Sequence, residues 1–457
     1  MNKLLSLITG ILSSLSLLFS FQEIPATTCL DYQQAERTIE IKCGTASVSD
    51  LYNTFGPLII KNESPKVWVL NANIRVRDDA TFYINSTDTL WLKINSTAGD
   101  AYSIISQGNL RIDSVKLTSW DTLTNNYTKI SNDGTEPRGY IRNEKGTGTL
   151  DITNSELGYL GYNGSKSSGL SYYSGSGSII YGNRIHDLWN GFYSASVENI
   201  TIENNQFYNN IIYGIDPHSG THDLIIRQNR VYNNGWHGII CSKHCHNIMI
   251  DSNRVSGNAQ TGIILHGNTT NSALINNTVY DNKQDQISLQ NSADNNSIYN
   301  NKLSGGTSGI EAAESSNNNI YNNTIKNAHY TILIHNGSSG NLFESNDIID
   351  AHNYTLYSRD ANTSGNIFIK NNISAAIIKM LLINNTSTFI NNTVGNMDSK
   401  YEFTLLNNSA LVLRDNTMRV TEGVIKSDSG YEPLPLSARI QSKKSALDTY
   451  LGNQSLN

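Results

Sequence analysis

The sequence predicts a single-stranded right-handed parallel β-helix, an all-β solenoid of coils about 24 residues long. Two observations carry this reading. An Asn-centred block recurs, and from Asn205 to Asn229, Asn253, Asn277 and Asn301 the step is 24 residues each time. Each repeat also holds three short apolar runs between polar turns, as in Leu224-Ile225-Ile226, Val231-Tyr232 and Gly238-Ile239-Ile240. Alternation over four or five residues between turn signals means strand, not helix. The composition agrees: the 457 residues are rich in Asn, Ser, Thr, Ile and Tyr, with 34 Gly and only 7 Pro, which suits strands and turns better than helices.

Met1-Asn2-Lys3 precedes an apolar run from Leu4 to Phe21. One cation before a long apolar stretch reads as a signal peptide over residues 1–25, or as an uncleaved N-terminal anchor, since about 20 apolar residues span a bilayer. Either reading makes the protein exported: secreted, periplasmic or at the cell surface. Residues 29–66 are expected to form an N-terminal cap, with a short helix over Ser47–Phe55, because an open end of the core would invite edge pairing. Coils are expected over 67–419, starting where strand patterns first appear at Val67–Leu70 and Phe82–Ile84. The Asn block opens at Asn183, and weaker copies follow at Asn323, Asn346, Asn371, Asn392 and Asn416. Coils stack about 4.8 Å apart, so an Asn at the same place in each can bond its amide to the next. Inward Ile, Leu and Val then make one continuous core. From about Val420 the pattern stops, leaving 420–457 as a C-terminal cap or tail.

A formal charge of −6 and 16% charged residues, with no basic run, exclude a nucleic-acid binder. Four cysteines in an exported chain permit two local disulfides, Cys29–Cys43 and Cys241–Cys245. His244 and His246 beside the second pair offer a metal-binding alternative, but no second ligand pair of standard spacing follows, so no metal site is assigned. Asn-X-Ser/Thr triplets such as Asn85-Ser86-Thr87, Asn163-Gly164-Ser165, Asn336-Gly337-Ser338 and Asn407-Asn408-Ser409 are glycan acceptors in a glycosylating compartment.

Stacking turns equal repeat offsets into spatial neighbours. With Gly191, Gly214, Gly238 and Gly262 as reference, the preceding residues are Asn190, Tyr213, His237 and Thr261. Two positions after the glycine stand Tyr193, Asp216, Ile240 and Ile264, and four after it Ala195, His218, Ser242 and His266, with Lys243 one beyond Ser242. Tyr213, Asp216, His218, His237, Lys243 and His266 should therefore gather over three coils, within roughly 10 to 15 Å. Trp189, Tyr193 and Trp236 lie nearby in the pattern and would suit a sugar-stacking platform. Read from the residues alone, this group is either a functional site or a solvated polar face.

Tyr213-Gly214-Ile215-Asp216-Pro217-His218 resembles the motif of the mannuronan C5-epimerases of alginate biosynthesis. The likeness continues through Leu224-Ile225-Ile226, Asn229, Tyr232, His237-Gly238-Ile239-Ile240 and Ser242-Lys243, and is closest to the periplasmic branch. It covers about residues 180–270. Ser219 stands where the family usually has Asp, and Lys243 where the periplasmic branch has Arg. Lys keeps the charge but loses the two-pronged grip on a carboxylate. The resemblance implies His218 as base, Tyr213 or a water as proton donor, Asp216 and Lys243 as neutralisers of the substrate carboxylate, and His237, His266, Trp236, Trp189 and Tyr193 in substrate binding. It implies an acidic polysaccharide as partner, with no nucleic acid or lipid, no cofactor (calcium is not implied), and a monomer. The competing readings are a polysaccharide lyase using the same residues and a non-catalytic glycan-binding β-helix.

Overall fold

The structure, a computed structural model, describes residues 29–433 except 98, 408 and 429. The expected signal peptide or anchor, and the tail beyond 433, lie outside the described residues. No helix among the described residues is long and apolar enough to cross a membrane.

The architecture is a right-handed parallel β-helix. One ladder of 15 parallel strands runs from Gly44–Ser47 to Ala410–Arg414. Two further ladders follow the other faces, one through Thr38–Ile41, Ile215–His218 and Tyr354–Arg359, the other through Val67–Leu70, Arg230–Tyr232 and Asp347–Ile349. Residues alternate between faces along a strand, which puts one column of Ile, Leu, Val and Phe per ladder inside. Ile202, Ile226, Ile250, Leu274 and Ile298 form such a column and are fully buried.

The coils stack closely where glycine opens a strand. A Cβ on Gly214 would meet the Gly238 carbonyl oxygen at 2.6 Å and Val231 Cγ1 at 2.5 Å. Glycine is required there because nothing larger leaves room for the next backbone.

The Asn ladder is unbroken. From Asn183 to Asn416 each Nδ2 donates to the Oδ1 of the Asn one coil on. Asn253 is typical: Nδ2 donates to Ile226 O at 2.8 Å and to Asn277 Oδ1 at 3.1 Å, and Oδ1 accepts from the Asn229 backbone N–H at 2.9 Å. The amide thus satisfies backbone groups that the bend removes from the sheets. Two shorter ladders, Asn210–Asn234–Asn258–Asn282 and Asn296–Asn318–Asn341–Asn366, hold other bends in the same way. Replacing Asn253 by Ala leaves a buried carbonyl and a buried N–H without partners. It is expected to destabilise the protein by about 2–4 kcal/mol, read as a lowered urea midpoint; an unchanged midpoint would refute the role of the ladder.

Both ends differ from the sequence expectation. The first coil begins inside 29–66: Thr38–Ile41 pairs in parallel with Asn73–Val76, and Gly44–Ser47 with Ala80–Asn85. These early coils lack the repeating Asn, so their period is silent. The expected short helix is present as Val48–Phe55, capped by Ser47 and Asp50 in a reciprocal capping box, with Val48 and Leu51 buried against the end of the core. At the other end Thr417–Ser427 still pairs in parallel with Thr393–Leu406, past the expected boundary at 419, before Gly430–Pro433 turns back antiparallel. Cys29 and Cys43 form the expected disulfide.

Candidate active site

Strand Ile215–His218 lies between Asn190–Ala195 and Ile239–Ser242, and Ile263–His266 follows. Ile215, Ile239, Cys241, Ile263 and Leu265 belong to the core. Alternation therefore turns Asp216, His218, Ser242 and His266 to the outer face. Tyr193 pairs with Asp216, and the column Ala195–His218–Ser242–His266–Gln290 is in register across five coils. This is the neighbour set that the repeat offset predicts.

Asp216 forms the floor. It is 2% exposed, and Ser242 Oγ donates to its Oδ1 at 3.4 Å. Burial pushes its carboxyl pKa well above the usual range, against the pull of the Ser242 hydrogen bond and of the Lys243 charge. At neutral pH the group is biased toward a neutral acid that can donate a hydrogen bond.

His218 is half-buried, with Nδ1 2.5 Å from Ser219 Oγ and its ring 5.5 Å from that of Tyr193. Ser219, at the position where Asp is expected, thus orients the imidazole as a neutral hydroxyl. Burial, then the charges of Lys243 and His266, lowers the pKa of His218, so the imidazole stays neutral and able to take a proton. His266 is lowered too, by burial and then Lys243, and Asn291 Nδ2 lies 2.7 Å from its Nε2.

Lys243 is exposed, and among the described residues it has no ion-pair partner. Its ammonium acts on Asp216, His218 and His266 alike, so it sits on their side of the coil.

Tyr213 and His237 stand on the other side of Asp216 along the chain. Their rings stack at 5.5 Å and 14°. The Thr261 backbone N–H donates to His237 Nδ1 at 3.2 Å, which leaves the ring proton on Nε2. Burial, then His266, lowers His237 to about 4; burial, then Asp216, raises Tyr213 to about 12. Trp236 is 46% exposed and meets Tyr213 edge to face at 5.8 Å, which suits a sugar-stacking wall.

Trp189 does not share that wall. It lies two coils from Trp236 in the same column, with Ile212 between them, and its ring packs over Gly134, where a Cβ would fall 2.3 Å from it. The second expected disulfide is absent: Cys241 and Cys245 are free and buried, and Cys245 Sγ donates to Ser242 O at 3.2 Å. Strand alternation sends Cys241 into the core, and burial raises both thiols, Cys245 to about 12. The sulfurs point inward while His244 is exposed and His246 half-buried on the turn outside, so the four groups do not converge on one metal.

Sequence reasoning missed Ser242 and Asn291 as partners of Asp216 and His266, and Tyr173, whose ring lies 5.7 Å from Tyr193 and whose pKa is raised by burial and, to a smaller extent, by Asp216. It also missed a second polar cluster further along the same face, at Asp285, Glu311, His335 and Arg359. Extending the offset columns by four more coils would have found it.

A family model described as "Periplasmic copper-binding protein (NosD)" matches residues 93–304 and 215–364, more than half of the chain. The chain belongs to the NosD family. Among curated proteins it is similar to the mannuronan C5-epimerases of Pseudomonas syringae pv. tomato, at 27% identity over 201 residues, and of Pseudomonas aeruginosa, at 29% over 207 residues. Each match covers 37% of the relative's length, and 41% and 42% of this chain. Among solved structures, the periplasmic alginate epimerase AlgG superposes with a TM-score of 0.63 at 23% identity, over 83% of this chain and 85% of the other. The shared fold is the β-helix.

The donors of this NosD-family chain do not fit copper. Among the described residues, Glu198, His222 and Asp223 are the group whose ligand atoms lie within 4.8 Å of one another. It offers two carboxylates and one imidazole, whose Nδ1 is already 2.7 Å from Asp223. His246 stacks on His222 face to face at 4.6 Å. Copper sites draw on converging imidazole or sulfur donors, and the thiols are buried elsewhere.

Proposed function

We propose that the protein is an exported enzyme that inverts C5 of uronic acid residues within a polyuronate, in the manner of a mannuronan C5-epimerase. The observation that carries the reading is an ammonium without an ion-pair partner among the described residues, Lys243, on the side of the coil stack that holds the buried Asp216 carboxyl, pushed up by burial, and the His218 imidazole, pushed down by burial, on the adjoining coil.

The chemistry asks for that set. The C5 proton is acidic only if the adjacent carboxylate is neutralised, because its removal pushes an electron pair into the carboxyl group. Lys243 supplies positive charge and Asp216 a hydrogen bond to the carboxylate. His218 takes the C5 proton. Tyr213, on the other side of Asp216, returns a proton to the opposite face, and its high pKa makes it a donor only once the carbanion has formed. Both groups regain their starting states through solvent, so no atom is gained or lost by the sugar beyond the exchanged proton. His237, fixed by Thr261 with its proton on Nε2, and His266, near Asn291, hold the sugar. Lyase chemistry would start with the same abstraction and then expel the C4 substituent.

The test is polymannuronate incubated with pure protein in deuterated water and followed by NMR. Guluronate signals with deuterium at C5 and unchanged chain length are expected. Unsaturated chain ends would make the protein a lyase; neither exchange nor cleavage would leave only a glycan-binding surface.

A further inference from the structure

The column that holds His218, Ser242 and His266 continues through Gln290 and Ala313 to His335 and Arg359. The Asp216 column continues in parallel through Ser288 to Glu311. The same outer face therefore carries a second charged group five to six coils beyond the first, roughly 24–29 Å away at one coil spacing per step.

Glu311 is saturated. Its Oε2 accepts from Ser288 Oγ at 2.6 Å and Gln290 Nε2 at 2.7 Å, and Oε1 lies 2.9 Å from His335 Nε2. Burial disfavours its charge, but the bonds to His335, Ser288 and Gln290 outweigh that and lower it to about 2. Burial would likewise lower His335, yet Glu311 and then Asn336 raise it, which biases the ring toward its charged form. Its Nδ1 is 3.4 Å from Arg359 Nη2. A guanidinium has donors only, and apart from this long contact Arg359 meets no acceptor side chain among the hydrogen bonds of the described residues. Arg359 Nε is buried without a partner, and Arg359 has no ion pair among the described residues. The remaining charged neighbours do not fill the gap: Asp285, raised to about 7 by burial and then by Glu311, is partly protonated at neutral pH, and Asp360 accepts from the Asn336 backbone N–H.

We propose that His335 and Arg359 form an anion subsite that holds a carboxylate of the polyuronate about five sugar residues away from the one being epimerised. A guanidinium without a counter-ion, beside an imidazole biased toward its charged form, is what a carboxylate takes. The spacing fits a chain lying along the helix axis, because a sugar in an extended 1,4-linked chain advances by nearly one coil. Glu311 acts as a positioning residue that keeps His335 charged. The proposal rests on the polyuronate reading above for the identity of the anion.

The test compares wild type, Arg359→Met and Arg359→Lys on long polymannuronate and on oligomers of about three residues, too short to bridge to the subsite at one coil spacing each. Binding is measured by calorimetry and C5 exchange by NMR. Arg359→Met is expected to weaken long-chain binding and raise KM on the order of tenfold, the loss of one charge-assisted bond. Its kcat and its short-oligomer constants stay as in wild type, and Arg359→Lys falls between. Equal behaviour of the three proteins, or equal loss on long and short chains, overturns the subsite. Because binding is read separately, a protein without C5 exchange that still binds long chains through Arg359 sinks the epimerase reading and keeps the subsite.

Discussion

Replacing His218 by Ala is expected to lower kcat for C5 exchange by about 10²–10⁴-fold, the range of general base catalysis, while long-chain binding persists. The pH profile is the sharper readout. Burial, Lys243 and His266 hold the His218 pKa below its ordinary 6.5. The neutral form is the base, so activity is absent below that pKa, rises with pH through it, and is full by neutrality. The acid limb of kcat/KM should therefore lie below pH 6.5 and be missing from any residual activity of His218→Ala. Burial pushes the Asp216 carboxyl well above its usual range, so raising the pH is expected to lower activity once that group ionises and repels the substrate carboxylate. A variant with wild-type kcat, or an acid limb that survives the substitution, excludes His218 as the base.

The second large effect is expected at Lys243. Lys243→Met removes a cation that has no ion-pair partner among the described residues and acts on Asp216 and His218, and should cost about 10²–10³-fold in kcat, as loss of a preorganised charge does at a developing anion. Stability should not change, because the side chain is exposed and ion-paired to nothing among the described residues. Removing the charge also relieves His218 and His266, whose pKa values Lys243 lowers; the acid limb of the remaining activity should move to higher pH. Lys243→Arg keeps the charge and adds a second prong, and should retain most of the activity. Full activity in Lys243→Met, or an unmoved acid limb, would show that carboxylate neutralisation lies elsewhere.

Much of this site was legible in the sequence because a solenoid converts spacing into contact. The neighbours of His218 in the coil stack are those expected at the 24-residue step, Ser242 and His266, and Tyr193 faces Asp216 as the offset requires. The Asn ladder was legible for the same reason: a polar residue that must meet its own copy one coil away cannot vary. Where period and chemistry part, the reading failed. Cys241 and Cys245 are close in sequence and of the right type, but strand alternation turns Cys241 inward and both thiols stay free and buried in the core. Trp189 shares the column of Trp236, yet the ring is taken up by Gly134, which belongs to an earlier, non-repeating stretch.

The sequence by itself determined the architecture, the register of the coils and the membership of the His218 group, since one-dimensional periodicity is all that a stacked coil needs. It could not decide the protonation states. Burial pushes the Asp216 carboxyl up and the His218 imidazole down, and the Lys243 ammonium adds to the second shift and opposes the first. Nor could it show that Arg359 lies beside His335 with no ion-pair partner among the described residues. Those properties depend on desolvation and on distances between side chains, and both exist only once the coils are packed.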